Sequence, residues 1–475
     1  MKVRRGVSEL RLPGADAGIS PTGSIGGFLA SRGVAWIGPT IDPPAGNAGL
    51  ASSIGLDRYY TLRLSKPGDT DLLAREVAEK FPNIVENAEP EGIGRSHYVP
   101  PNDPGFGSQW HLLNVGQSVD SQACVSGADV NWLEAGDAAG QLSGVVVAVL
   151  DTGVSVSHPD LVGRLIQGRN TTTNNPSLVN NTDDSTQNSH GTKCAGVIAA
   201  MGNNGIGISG VAANAVIMPV KVQSGIFLNS GPVANGLTWA TDNGARIASM
   251  SFGFPSGTTG LSVVRDAVVY AAAHGVLMVS STGNTAGGVV GYPAAYPEVI
   301  AVGATNCRDQ LAAFSTVGPE MDLVAPGESI YTTIDQSNNP DGYGFESGTS
   351  FSAPMVAATG ALVLGINPSL TPEQVRAIIV GSTEDLGVAG YDASFGWGRL
   401  SAYNAVREAL ATLPLCPADV NANRLVDLGD LFLYFDLYFL YNGQASTPSF
   451  VDFNQDGEVN GGDLFAFMEA WFRGC

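Results

Sequence analysis

The sequence predicts an α/β protein: a mainly parallel sheet flanked by helices, preceded by a small α+β unit and followed by a small all-α domain. Three observations predict it. Residues 145–150 (Val-Val-Val-Ala-Val-Leu) are apolar without polar alternation, which suits a parallel strand covered on both faces. Further along, polar residues able to do chemistry fall where a predicted strand ends or a predicted helix begins, the places where open α/β sheets gather ligands. From residue 413 the composition changes, becoming dense in Asp, Phe, Tyr and Leu, and a pattern that begins at Asp419 recurs at Asp452.

Taken in order, residues 1–54 are rich in Gly, Ala, Pro and Ser without a sustained period, and are expected to be irregular. Residues 55–98 follow as a strand (Tyr59 to Leu64), a helix (Thr70 to Phe81, with Leu72, Leu73, Val77 and Phe81 at helical spacing) and an extended stretch (Ile84 to Ala88). In residues 99–412, the strand 145–150 leads into Asp151-Thr152-Gly153. His190-Gly191-Thr192 precedes an apolar run, Lys193 to Ala200, that places the imidazole in the first turn of a buried helix. A strand over Val279 to Ser281 runs into Gly283-Asn284. Gly348 allows close backbone approach, and Pro354 is tolerable only near a helix start, so Phe351 to Gly365 is predicted helical with Ser350 at its positive end. Tyr403 to Leu410 is a final amphipathic helix before the Pro-marked junction Leu413 to Pro417.

A serine hydroxyl becomes a nucleophile when a base takes its proton and a carboxylate orients that base, so Asp151, His190 and Ser350 are needed together. Their chain order, Asp then His then Ser, is that of subtilisin. The chain resembles the subtilisin-like serine proteases (subtilases, thermitase-like), and the resemblance implies a doubly wound sheet and a serine endopeptidase working through an acyl-enzyme. Asn284 matches the family's oxyanion donor by its Gly-Asn context. Sedolisins, which share Ser-Gly-Thr-Ser, replace the histidine with glutamate and are excluded by His190-Gly191-Thr192. Lys193 departs from the residue more usual after that threonine. The strand Ile247 to Gly253 resembles the one that pairs with an extended substrate through Ser251, Phe252 and Gly253, and Ser281, Thr282 and Gly283 form the second wall of a pocket for an apolar or medium-sized side chain.

The same resemblance implies that residues 55–98 are a prosegment, which makes the protein a zymogen processed near residues 92–99. It also implies a Ca2+ site from Asp103, Asp160, the Asn204 side chain and the carbonyls of Met201, Ile206 and Ile208, an all-oxygen set that suits calcium. In residues 413–475, Asp419, Asn421, Asn423, Leu425, Asp427 and Asp430, then Asp452, Asn454, Asp456, Glu458, Asn460 and Asp463, lie at EF-hand-like spacings. Paired loops with Asp at position 12 resemble the dockerin domain, a calcium-dependent module that docks onto cohesins, so a cohesin-like or cell-surface partner is expected there. Arg424 replaces the usual glycine of the first loop, and Cys416 and Cys475 flank the module as a candidate clasp.

A formal net charge of −21 argues against nucleic acid and anionic membranes as partners. No apolar run long enough for a membrane span is expected. Five cysteines leave at least one unpaired, and Cys194, in an apolar helix, reads as a buried free thiol; Cys124 and Cys307 carry no metal spacing. Met1 to Gly6 is not followed by the apolar core of a secretory signal, yet the tail and the resemblance favour an extracellular or cell-surface location. The competing functional class is a calcium-dependent scaffold whose protease-like domain binds peptides without cleaving them.

Overall fold

A computed structural model of the chain describes residues 2–3, 25–39, 58–64, 70–88, 100–133, 135, 144–185, 188–225, 228–413, 418, 431, 434–435, 438–439, 451–454 and 458–473. It divides into two compact units, Met1–Ser96 and His97–Cys475.

In the first unit, Val34–Pro39 pairs antiparallel with Tyr60–Leu64, and Lys2–Val3 pairs with Val85–Asn87. Helices Ile25–Ser31 and Thr70–Lys80 complete it, and Val3, Ile25, Leu29, Val34, Val77 and Val85 form its core. Residues 1–54 are therefore not wholly irregular, because they supply two strands and a helix to the unit that residues 55–98 were expected to build alone. The helix is only seven residues long and contains two glycines, too little to register as a period.

The second unit is built on seven parallel strands. In chain order the elements are β1 (Val146–Asp151), β2 (Arg169–Asn170), α1 (His190–Ala199), β3 (Val216–Lys221), α2 (Ser230–Asp242), β4 (Ile247–Met250), α3 (Ser262–Ala273), β5 (Leu277–Ser281), β6 (Val299–Thr305), β7 (Leu323–Pro326), the hairpin β8 (Ile330–Thr333) and β9 (Tyr343–Glu346), then α4 (Thr349–Ile366), α5 (Pro372–Gly381) and α6 (Ala402–Ala411). The sheet runs β7-β6-β5-β4-β1-β3-β2, so the strand order reverses at β1, and the carboxyl ends of β1 and β4 lie side by side there. Val147 and Val149 pack with α1, α4, α5 and α6 on one face, while Ala148 and Leu150 pack with α2 and α3 on the other. Burial on both faces is the physical reason the strand reads as an unbroken apolar run.

Helix α4 crosses the core, and 16 of its 18 residues, Thr349 through Leu364, are buried. It is long and apolar enough by itself to cross a membrane, contrary to the expectation that no such run exists, but 89% of it is buried inside the fold. Cys124 and Cys307, unassigned from the sequence, form a disulfide across a separation of 183 residues, a pairing no spacing rule reveals. Cys194 is free and buried, as expected.

Toward the carboxyl terminus, helix α7 (Gly461–Arg473) packs Phe467 flat on Tyr434, ring centroids 3.8 Å apart, in a cluster with Ala418, Tyr438, Val451 and Val459. The first predicted calcium loop (Asp419, Asn421, Asn423, Leu425, Asp427, Asp430) lies outside the described residues, as do Asp456, Arg424, Cys416 and Cys475.

Candidate active site

The end of β1 delivers Asp151 and the first residue of α1 delivers His190, and the His190 Nδ1 to Asp151 Oδ1 distance is 2.8 Å. The same carboxylate oxygen accepts the Thr152 amide at 2.7 Å. Strand and helix approach this closely because of two glycines. A Cβ on Gly191 would stand 2.0 Å from the Gly153 carbonyl oxygen, and Gly153 itself holds φ +119° against the Thr182 carbonyl. Burial disfavours the imidazolium, but the charge and hydrogen bond of Asp151, aided by Asp184, raise the His190 pKa above the usual histidine value, with Lys193 acting the other way.

Ser350 is the second residue of α4, and its hydroxyl donates to the Ser251 carbonyl at 3.3 Å. The ring of its neighbour Phe351 lies 5.9 Å from the His190 ring, centroid to centroid. Pro354 has a local consequence. Its missing N–H would have bonded the Ser350 carbonyl one turn back. That carbonyl instead accepts the Ser251 hydroxyl at 2.8 Å and the Cys194 thiol at 3.4 Å. The Ser350 peptide is thus tied by side chains to the segment just after β4 and to α1. Burial pushes the Cys194 thiol well above the ordinary range, so it stays protonated and serves as a donor.

Asn284 follows β5. Its Oδ1 accepts both the Thr349 amide and the Thr349 hydroxyl at 2.9 Å, which fixes the orientation of the side-chain amide. A Cβ on Gly348 would lie 3.2 Å from that Nδ2, so glycine leaves room for the amide beside the helix start. Asn284 and Ser350 share a groove of about 550 Å3 whose lining includes all six predicted substrate residues, Ser251, Phe252, Gly253, Ser281, Thr282 and Gly283. None of its lining side chains is charged.

Two residues escaped the sequence reading, one beside His190 and one at the predicted cation cluster. Asp184, fully buried, accepts the Thr192 amide and hydroxyl at 3.1 and 3.0 Å, and burial is the main cause of its carboxyl being pushed up to about 6. Tyr343 donates to Asp160 Oδ2 at 3.0 Å. Neither carries a motif; both act by tertiary placement.

The predicted cation residues also converge. Asp103 Oδ2 and Oδ1 accept the amides of Asn203 and Asn204 at 2.8 and 3.1 Å, and Asp160 accepts the Asn204 side chain at 2.8 Å and the Ile208 amide at 2.9 Å. Both carboxylates are buried, and among the described residues neither pairs with a lysine or arginine. Burial raises the Asp160 pKa. Two buried carboxylates from separate segments, Asp103 and Asp160, both hydrogen-bonded to the 203–208 loop, form a hard oxygen set short of positive charge, which fits calcium. In the tail, Asp463 is fully buried and accepts the amides of Asn454 and Asn460 at 3.1 and 2.8 Å, so it gathers the described part of the second loop.

The sequence model of the subtilase family (peptidase S8) matches residues 142–398. Thermitase of Thermoactinomyces vulgaris is 35% identical over 312 residues, 65% of this chain and 99% of that protein. Subtilisin NAT of Bacillus subtilis subsp. natto is 41% identical over 257 residues, 52% of this chain and 63% of its own length. A solved protease from Pseudoalteromonas arctica superposes with a TM-score of 0.55 at 28% identity, covering 66% of this chain and 100% of that one.

Proposed function

This chain belongs to the subtilase family, and we propose that it is a calcium-stabilised serine endopeptidase, made as a zymogen and carrying a calcium-dependent docking module at its carboxyl end. The observation that carries the catalytic reading is the 2.8 Å Asp151–His190 contact at the switch point of the sheet, with Ser350 and Asn284 sharing the adjacent groove. In this reading the Ser350 hydroxyl turns from the Ser251 carbonyl to His190 Nε2 and attacks the substrate carbonyl carbon. His190 takes the hydroxyl proton and gives it to the departing amine, leaving an ester on Ser350 Oγ. Water then enters by the same base and releases the acid. Asp151 holds the tautomer, and the NH2 of Asn284 with the Ser350 backbone N–H receives the oxyanion. The uncharged groove favours substrates with an apolar or medium-sized side chain before the scissile bond.

Asp103, Asp160, Asn204, Met201, Ile206 and Ile208 would hold one calcium ion. Bound there, it supplies positive charge that the protein's own side chains do not. Residues 55–98 act as the prosegment, cleaved near 92–99, and residues 413–475 bind calcium through the paired loops and then a cohesin-like or surface partner outside the cell. A fluorophosphonate probe tests the catalytic core. Labelling of the processed protein that disappears in Ser350→Ala is the expected result, and an unlabelled processed protein sinks the hydrolase in favour of a peptide-binding scaffold.

A further inference from the structure

Lys193 is three residues beyond His190 on α1, and its side chain is only 4% exposed. Its Nζ meets Glu346 Oε1 at 2.6 Å, while the Glu346 side chain remains 31% exposed. Lysines are rarely buried unless paired, and desolvating an ion pair does not by itself stabilise a fold, so such a pair beside a base points to what it joins. It joins the two elements that must be kept in register for proton transfer. Glu346 ends β9, four residues before Ser350, and Lys193 lies one turn into the helix that opens with His190. The neighbouring strand of the hairpin, β8, is bonded to the same helix: Thr332 donates to the Lys193 carbonyl and Thr333 to the Thr192 carbonyl, both at 2.7 Å. The packing leaves no slack, since a Cβ on Gly196 would fall 2.1 Å from Thr333 Oγ1.

We propose that Lys193 and Glu346 are positioning residues of the hydrolytic reaction: their ion pair clamps the base helix to the strand that leads to Ser350 and sets how much of the Lys193 charge reaches the His190 imidazole. The inference rests on the catalytic reading above. The groups facing His190 are Asp151 from β1, Asp184 from the loop before α1, and Lys193 and Cys194 from α1 itself. Lys221 of β3 is turned onto the Asp183 carbonyl at 2.7 Å, and Asp335 beyond β8 is turned onto Ser337. The start of α4 brings the uncharged Ser350 and Phe351, and β8 the uncharged Thr332 and Thr333. Among the described residues, Lys193 is therefore the one cation named among the groups that act on this histidine, and Glu346 is its counter-charge. The Lys193 charge lowers the proton affinity that Asp151 raises.

The test is the acid limb of the kcat/KM profile of the full processed protein on a neutral peptide substrate, which reports the base in the free enzyme. Lys193→Met removes the cation and leaves the Glu346 carboxylate, so the limb moves to higher pH. Glu346→Gln leaves the cation uncompensated, so the limb moves to lower pH. Each shift is about half a unit, the size expected of a single charge across a partly solvated groove. The double variant returns toward the parent value. A clamp without electrostatic influence would lower activity in both single variants and move neither limb, and shifts of the same sign in both likewise overturn the proposal. Because Glu346→Gln strands a buried lysine and can unfold the chain, His190 is also titrated by NMR in Ser350→Ala with and without Lys193→Met. An unmoved His190 titration there overturns the proposal without any need for turnover. A parent protein that is folded and processed yet inert to the fluorophosphonate defeats the catalytic reading instead, which separates the two failures.

Discussion

Replacing His111 with leucine should flatten the acid sensitivity of the fold. The His111 side chain is 1% exposed, and neither ring nitrogen has a hydrogen-bond partner among the described residues. Burial pushes its pKa down from 6.5 to about 3. The neutral ring is accepted in the folded state and the imidazolium is refused, whereas the unfolded chain takes the proton near pH 6.5. The contribution to stability is therefore complete above pH 6.5 and is lost as the pH falls from there toward 3. At 1.36 kcal/mol per unit the full loss is about 5 kcal/mol, and about 3 kcal/mol of it has gone by pH 4.5. His158, also lowered mainly by burial, adds its own slope, so the informative quantity is the difference between two proteins. Urea unfolding of Ser350→Ala and Ser350→Ala/His111→Leu, which cannot digest themselves, is measured at pH 7.5 and 4.5. The leucine protein should lose about 3 kcal/mol less over that interval. Parallel losses in the two proteins, or an NMR titration of folded His111 near 6.5, would refute the argument.

Asp184 should produce the opposite slope. Its folded pKa of about 6 lies above the ordinary 3.8, so its contribution is full below 3.8 and is lost as the pH rises through 6; Asp184→Asn should remove about 3 kcal/mol of that alkaline loss, read as the change in unfolding free energy between pH 4 and pH 8. Replacing both Cys124 and Cys307 with serine opens a loop closed across 183 residues and should lower stability by about 2 to 5 kcal/mol, seen as a reduced calorimetric Tm in the Ser350→Ala protein. Chelation should lower Tm, and a thousandfold excess of calcium over its Kd should restore about 4 kcal/mol; Asp160→Asn should lose most of that response in the catalytic transition while Asp463→Asn leaves it intact. Asn284→Leu should cut kcat by about 100- to 1000-fold with little change in KM, the size of effect known for such a donor in subtilisin itself.

How much was legible in the sequence differs from element to element for physical reasons. β1 was legible because a strand covered on both faces must be apolar throughout, and α4 because Gly348 and Pro354 bracket its start. Asp151, His190, Ser350 and Asn284 were legible because each sits where a backbone constraint leaves a short local signature. The groups that tune them left none. Asp184 precedes His190 by six residues in a loop of ordinary polar composition, and Cys124 finds Cys307 only after the sheet has formed. Residues 25–39 were misread because a helix of seven residues and a single short strand pair carry too few apolar positions to establish a period. Between these extremes stands Pro354, whose meaning was half visible. Its position four residues after Ser350 already dictates that the Ser350 carbonyl lacks its helical donor. Only the fold shows which groups replace that donor: the Ser251 hydroxyl, just past β4, and the Cys194 thiol, from the helix that opens with His190. A missing backbone hydrogen bond in one helix thereby ties Ser350 to the segment after β4 and to α1.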